Sequence, residues 1–114
     1  MSRAPYQPER GDFCWLEFAP QAGTEQSGRR PALVLSYRAF NVATGLALVC
    51  PVTSQMKGSS FEVPVPPGIG ISGAVLADHI RSADWIARRA AFHSRAPARL
   101  LDEVLARIAP VIGL

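Results

Sequence analysis

The sequence has few of the residues from which metal centres and membrane spans are built. Its 114 residues include two histidines and two cysteines, and Cys14 and Cys50 form no CxxC pair. This spacing argues against a structural zinc site and predicts buried free thiols in a reducing compartment. No apolar run approaches the ~18 residues that a membrane span needs, and residues 1–10 lack the apolar core of a signal peptide. We therefore expect a cytoplasmic protein.

Charge is scarce, and lysine is almost absent. Only 18% of the residues are charged, 48% are hydrophobic, and the mean hydropathy is +0.12. This composition is typical of a folded domain, and the low charge predicts that a second copy covers part of the surface. The net charge is +3, and because Lys57 is the only lysine, the basic excess comes from arginine. Arginine binds phosphates bidentately, which favours an anionic partner.

The length fits one domain, which we place at residues 11–114 behind a flexible arm at residues 1–10. Short apolar runs between turn residues predict strands at residues 12–18, 31–36, 46–53, 61–65, 73–80 and 89–94. Residues 41–45 are predicted as a turn and residues 82–88 as a turn of helix. Pro51 indicates an edge position or a bulge. Many short strands without a βαβ alternation predict a small antiparallel barrel or two curved sheets.

The C-terminal segment has a helical pattern. Leu101, Val104, Leu105 and Ile108 recur at the spacing of one helix face. Pro97 suits a first turn and Pro110 a stop, so the pattern predicts a helix over residues 97–109.

Two polar segments stand out as candidate sites, since no metalloprotease, nucleophile-elbow or P-loop motif is present. The first is the loop that ends in Arg29 and Arg30, where Arg30 precedes an apolar strand. The second is Thr53-Ser54-Gln55, at the end of the third predicted strand. If the two strands pair, Arg30 and Thr53 approach each other and form a phosphate site. Ordinary solvated charges and a threonine that merely ends a strand remain the alternative on this evidence.

Several motifs resemble those of the MazF/PemK family of toxins. The most specific is the run G-x-E-Q-x-G-x-R-P at residues 23–31, followed some twenty residues later by P-x-T-x-Q at residues 51–55. Gly11-Asp12, Phe61-Glu62-Val63 and Trp85 extend the resemblance over residues 10–112, nearly the whole chain.

The resemblance implies a mostly β fold, a small SH3-like antiparallel β barrel of the PemK/Kid/CcdB type with a C-terminal α-helix. It implies a homodimeric endoribonuclease that cleaves single-stranded RNA without a metal ion or other cofactor. It also implies a cognate antitoxin, whose acidic C-terminal segment lies over the RNA groove and whose complex with the toxin binds operator DNA.

The resemblance also assigns residues. Arg30 corresponds to the family's main catalytic residue, Thr53 to its partner and Glu25 to a loop glutamate implicated in activity. Eight further residues are expected to contact RNA: Arg29, Gln26, Ser54, Gln55, Lys57, Asp78, His79 and Arg81. Arg29, Met56, His79 and Arg81 depart from the family's usual residues, so the cleavage sequence is not carried over.

Two other functions fit parts of the same pattern. A CcdB-like toxin of this fold poisons gyrase and does not cleave RNA, but the presence of both R-P and T-x-Q favours the nuclease. A nucleic-acid-binding or antitoxin-binding module would use residues 81–99, where five arginines face one acid, Asp84.

Overall fold

The computed structural model describes residues 5–18 and 28–114. Its elements are β1 (Asp12–Phe18), β2 (Gly28–Val34), α1 (Arg38–Thr44), β3 (Leu46–Thr53), β4 (Glu62–Pro64), β5 (Ala74–Leu76), β6 (Arg81–Asp84), β7 (Ala91–Arg95) and α2 (Ala98–Ile108). Short 3-10 segments cover Ala77–His79 and Ala109–Ile112.

The strands form one antiparallel sheet in the order β4-β5-β3-β2-β1-β7, and β6 also pairs with β3. The predicted mostly β fold with a C-terminal helix is confirmed. Within the described residues the pairing does not join β4 to β7, so the sheet is strongly curved but not a closed ring. The strand at residues 46–53 is the one predicted, and β2 is central as its apolar run indicated.

Alternating side chains of the central strands build two hydrophobic clusters. Leu33 and Val52 belong to the first cluster, which α2 covers with Leu100, Val104 and Ile108. Val34 and Val49 belong to the second cluster, against which Tyr6, Trp85 and Ala90 pack. Each fully buried aliphatic side chain contributes roughly 1.5–3 kcal/mol, so both faces of β2 and β3 are firmly held.

The predicted turn at residues 41–45 is the end of a helix, α1. The prediction was wrong because tertiary hydrogen bonds, and not an apolar period, stabilise this short segment. The fully buried Asn41 amide donates to the carbonyl oxygens of Pro8 and Ser36, and its side-chain oxygen accepts from the Ser36 hydroxyl. The Trp85 indole also donates to the Asn41 carbonyl, at 2.9 Å.

The predicted strand at residues 73–80 is two strands. β5 pairs with the end of β3, β6 pairs with its beginning, and the 3-10 segment Ala77–His79 joins them. The helical turn predicted at residues 82–88 is therefore wrong, because its first residues belong to β6. The edge position suggested by Pro51 is wrong as well, since β3 pairs with three strands. Pro51 lies where β3 changes partner from β6 to β5, a position compatible with its missing N–H.

Residues 5–10, part of the arm predicted to be flexible, pack against the sheet. Pro8 is fully buried, and the Arg10 guanidinium donates to the Leu35 carbonyl at 2.9 Å. The Tyr6 hydroxyl donates to the Asp12 carboxylate at 2.6 Å. Residues 1–4 of the predicted arm lie outside the described residues.

The two cysteines are free and buried, as predicted. They lie in different hydrophobic clusters, and burial raises the pKa of each thiol to about 12. None of the helices in the described part of the chain is both long and apolar enough to cross a membrane.

Candidate active site

Arg30 and Thr53 meet at one end of the central strands. The register of β2 and β3 pairs Ala32 with Pro51. The paired residues end at Ala32 and Pro51, and continuing the same antiparallel register by two residues aligns position 30 with position 53. Both side chains then project from the sheet face of Val34 and Val49, because residues two apart on a strand share a face. The juxtaposition follows from the pairing of β2 with β3, as expected from the sequence.

Thr53 is held rigidly. It is 4% exposed, pairs with Ala74 of β5, and its hydroxyl oxygen accepts the Gln55 backbone N–H at 3.1 Å. A hydroxyl that accepts this bond keeps its own proton for donation to another acceptor.

Gly73 allows the close approach of the neighbouring backbone. A Cβ atom at Gly73 would overlap the Thr53 carbonyl oxygen, and the glycine has a φ of +117°. Only glycine tolerates both the positive φ and the close approach, so Gly73 allows the backbone directly before β5 to pack against the Thr53 carbonyl group.

Glu62 organises the loop after Thr53 and was missed as a functional residue. Its carboxylate is buried and accepts backbone N–H bonds from Lys57 and Gly58, the shortest at 2.9 Å. The sequence signal was an acidic residue in an otherwise apolar strand, directly after a polar turn. By closing this loop, Glu62 fixes the backbone that presents Ser54, Gln55 and Lys57, all of which are exposed.

Arg81 reaches the same end of the sheet. It lies opposite Val49 on β6, and its guanidinium carbon is 5.3 Å from the centroid of the Phe18 ring. Phe18 pairs with Gly28, two residues before Arg30 on the same strand face. The cation–π contact therefore holds the Arg81 guanidinium over Phe18, the last residue of β1.

Arg29 faces away from this group. It pairs with Glu17 across β1 and β2, and its guanidinium donates to the Arg89 carbonyl at 3.0 Å. Asp78 and His79 lie on the 3-10 segment between β5 and β6, with His79 Nε2 3.9 Å from an Asp78 carboxylate oxygen. By strand alternation, Arg30 and Thr53 belong to the same sheet face, whereas Arg29 belongs to the opposite face.

Two predicted residues, Glu25 and Gln26, lie outside the described residues. Among residues 5–18 and 28–114, no three His, Cys, Asp or Glu side chains are grouped so that they could hold a metal ion. Within this part of the chain, the candidate site consists of arginine, hydroxyl and amide groups. Such groups bind a phosphate oxygen and stabilise charge that develops on it.

Comparison with known proteins identifies the family of the chain. Residues 9–112 match the family model of PemK-like, MazF-like toxins of type II toxin–antitoxin systems. The endoribonuclease toxin MazF of Escherichia coli K12 is 42% identical over 108 residues, 95% of this chain and 96% of that protein.

Two solved structures from Deinococcus radiodurans have the same fold. The crystal structure of MazF has a TM-score of 0.92 and 54% identity, covering 96% of this chain and 100% of that one. A MazE–MazF crystal structure has a TM-score of 0.87 and 52% identity, covering 96% and 99%. The chain belongs to the family of PemK-like, MazF-like toxins of type II toxin–antitoxin systems.

Proposed function

We propose that this chain cleaves single-stranded RNA at the Arg30–Thr53 pair, without a metal ion. The observation that supports the proposal is the antiparallel pairing of β2 with β3, whose register, continued by two residues, aligns position 30 with position 53. The endoribonuclease named in the comparison, MazF of Escherichia coli, supports RNA as the substrate.

The chemistry requires no external nucleophile. The ribose 2′-oxygen attacks the adjacent phosphorus, and its proton passes to a base. The bond from phosphorus to the 5′-oxygen breaks, and that oxygen takes up a proton. The products are a 2′,3′-cyclic phosphate and a 5′-hydroxyl. The protein supplies alignment, charge stabilisation and the two proton transfers.

Each residue of the pair has a defined task. Arg30 stabilises the extra negative charge of the phosphorane, and Thr53 donates its hydroxyl proton to a phosphate oxygen. A guanidinium has a pKa above ~12, which makes it an unusual base. Arg30 and Glu25 therefore remain the two candidates for the group that accepts the 2′-hydroxyl proton.

The surrounding residues recognise the strand. Ser54, Gln55 and Lys57 present exposed donors from the loop that Glu62 closes. Arg81, Asp78 and His79 lie on the neighbouring β5–β6 segment, and Gln26 and Arg29 are expected to contact RNA from the β1–β2 side. Unpaired bases offer these groups their hydrogen-bonding edges, so we expect duplex RNA to resist cleavage.

The partners belong to the same proposal. The MazE–MazF structures of Deinococcus radiodurans support a cognate antitoxin, whose acidic C-terminal segment would cover the Arg30 face. The antitoxin complex would bind operator DNA, and the toxin would act in the cytoplasm.

A homodimer is the proposed working unit. Apolar side chains exposed around α1 and the start of β3 support a second copy as their cover: Tyr37, Phe40, Val42, Leu46 and Leu48. Light scattering at micromolar concentration is expected to give twice the 12.3 kDa chain mass. A particle of one chain mass would contradict the dimer.

Product analysis tests the chemistry. The purified protein is incubated with single-stranded RNA in EDTA, and the fragment ends are sequenced and assayed for cyclic phosphate. We expect 5′-hydroxyl ends and 2′,3′-cyclic phosphates at one short sequence. Intact RNA, or fragments with 5′-phosphates, would contradict the proposal. Thr53→Val, which keeps the shape but removes the hydroxyl, is expected to cleave at least ~10-fold more slowly than Thr53→Ser.

A further inference from the structure

An arginine-rich surface lies on the side of the β1–β2 pair that faces away from Thr53. Here we call it the basic rim, formed by Arg29, Arg89 and Glu17. One oxygen of Glu17 lies 3.8 Å from a guanidinium nitrogen of Arg29 and 3.5 Å from one of Arg89. Two cations therefore share a single carboxylate oxygen, and the rim keeps a surplus positive charge.

The turn that carries Arg89 is fixed by its own backbone. The N–H groups of Arg88, Arg89 and Ala90 donate to the carbonyl oxygens of Asp84, Ile86 and Trp85. Arg88 is joined to Glu17 twice, because each backbone carbonyl accepts a bond from the other residue, at 2.9 and 3.0 Å. The rim is thus preorganised on β1.

Arg89 has an unusual backbone conformation. Its φ of +56° makes it the one non-glycine residue with a positive φ among the described residues. Side-chain-bearing residues rarely adopt this left-handed region, and such strain often accompanies a function. In this conformation the Arg89 carbonyl accepts the Arg29 guanidinium, while the Arg89 side chain remains 76% exposed.

We propose that Arg29 and Arg89 bind a backbone phosphate of the substrate RNA next to the phosphate held by Arg30, and that Glu17 limits the strength of this contact. This inference rests on the proposed RNA-cleaving function. Arg29 directly precedes Arg30 on β2, so the two long side chains leave the strand at neighbouring residues and are expected to reach neighbouring phosphates of one RNA strand. The exposed guanidinium groups suit a phosphodiester, which arginine binds bidentately.

Salt dependence of binding distinguishes a phosphate contact from a structural role. The probe is a mixed-sequence single-stranded RNA oligonucleotide with a 2′-O-methyl ribose at every position, which removes the attacking 2′-hydroxyl and prevents cleavage. Its dissociation constant is measured from 50 to 300 mM salt. Each phosphate contact contributes about 0.7 to the slope of log affinity against log salt for a single strand.

Three variants and a control give the expected pattern. The double variant Arg29→Ala/Arg89→Ala removes this one phosphate contact and lowers the slope by about 0.7, and Arg89→Ala alone lowers it by a smaller amount. Glu17→Gln tightens binding roughly two- to five-fold, since it removes the competing carboxylate. Arg99→Ala is the control, because it removes the same charge from α2. Helix α2 follows Arg95, which pairs with Asp12 at the opposite end of β1 from the basic rim. This variant is expected to leave the slope unchanged.

An unchanged slope in the double variant would overturn the inference, as would weaker binding by Glu17→Gln. Thermal melts confirm that each variant is folded before binding is compared. Because the oligonucleotide cannot be cut, these results are independent of the chemistry at Arg30. A wild-type protein that binds this probe but leaves RNA uncut would instead contradict the proposed function.

Discussion

The two ends of β1 use the same kinds of side chain to opposite effect. At its start, which we call the closed end (Asp12, Tyr6 and Arg95), the carboxylate of Asp12 is 5% exposed. It accepts bonds from the Tyr6 hydroxyl and the Arg95 guanidinium, each at 2.6 Å, and from the Glu9 backbone. Burial and the bond to Asp12 together raise the pKa of Tyr6. This end is a hydrogen-bonded network around a buried carboxylate, and it stabilises the fold.

At the other end of β1, which we call the site end (Glu17, Arg29, Arg30 and Thr53), the charged side chains of Glu17 and Arg29 are solvent-exposed. Glu17 is 45% exposed and is shared by two arginines. The rigidity here comes from backbone contacts at Gly73 and Glu62, not from ion pairs. At the closed end, the buried carboxylate of Asp12 pairs with Arg95. At the site end, Arg29 and Arg89 share the half-exposed carboxylate of Glu17, so their positive charge is only partly neutralised and is accessible to an anion.

The largest loss of stability is expected from a substitution that disrupts the backbone contact at the site end. Gly73→Ala places a methyl group on the Thr53 carbonyl and is expected to cost about 4 kcal/mol of unfolding free energy, measured by urea denaturation. Gly68→Ala is the control, because Gly68 also has a positive φ but its Cβ would meet open space. It is expected to cost about 1 kcal/mol, and an equal loss in both variants would contradict the overlap.

The second-largest loss of stability is expected from a substitution that disrupts the network at the closed end. Asp12→Ala removes the shared acceptor of Tyr6 and Arg95 and is expected to lower the unfolding free energy by about 3 kcal/mol. RNA cleavage by the folded fraction is expected to stay unchanged, because this network lies at the opposite end of β1 from Thr53. A variant as stable as wild type, but slow to cleave, would reverse the roles assigned to the two ends.

A smaller loss of stability is expected from a substitution that tests how the loop after Thr53 is held. Glu62→Ala leaves the N–H groups of Lys57 and Gly58 without their carboxylate and is expected to cost about 2 kcal/mol. Hydrogen exchange at these two amides should accelerate, and RNA cleavage should slow. Glu62→Gln, which keeps one acceptor oxygen, should recover part of both losses. Unchanged exchange in Glu62→Ala would show that the loop does not depend on Glu62.

The smallest stability effect belongs to Glu17. Because its ion pairs are solvent-exposed, Glu17→Gln is expected to change the unfolding free energy by less than about 0.5 kcal/mol. A loss similar to that of Asp12→Ala would mean that the two ends of β1 do not differ in kind.

The sequence alone predicted much of this arrangement. Apolar runs located β1 and β3 at their observed bounds, and a helical period located α2. The pairing of β2 with β3 was considered only as a condition for a shared site, and the register itself was not predicted. The motif R-P followed by T-x-Q then identified Arg30 and Thr53.

Features that depend on distant contacts were not predictable in this way. Helix α1 forms around the hydrogen bonds of buried Asn41, whose partners are separated from it by up to 44 residues. The division of residues 73–84 into two strands depends on which part of β3 each one pairs with. The orientation of Arg29 away from Arg30 follows from strand alternation, which became clear only once β2 was seen to begin at Gly28.

Cleavage by Arg30→Ala is the most direct test of the central claim. Turnover of single-stranded RNA in EDTA is measured for wild type, Arg30→Ala, Arg29→Ala and the charge-matched control Arg99→Ala, with circular dichroism to confirm folding. The account predicts a loss of at least ~100-fold for Arg30→Ala, weaker RNA binding as the main defect of Arg29→Ala, and wild-type turnover for Arg99→Ala. Near-normal turnover by a folded Arg30→Ala protein, or an equally complete loss in Arg29→Ala, would contradict the assignment of the active site.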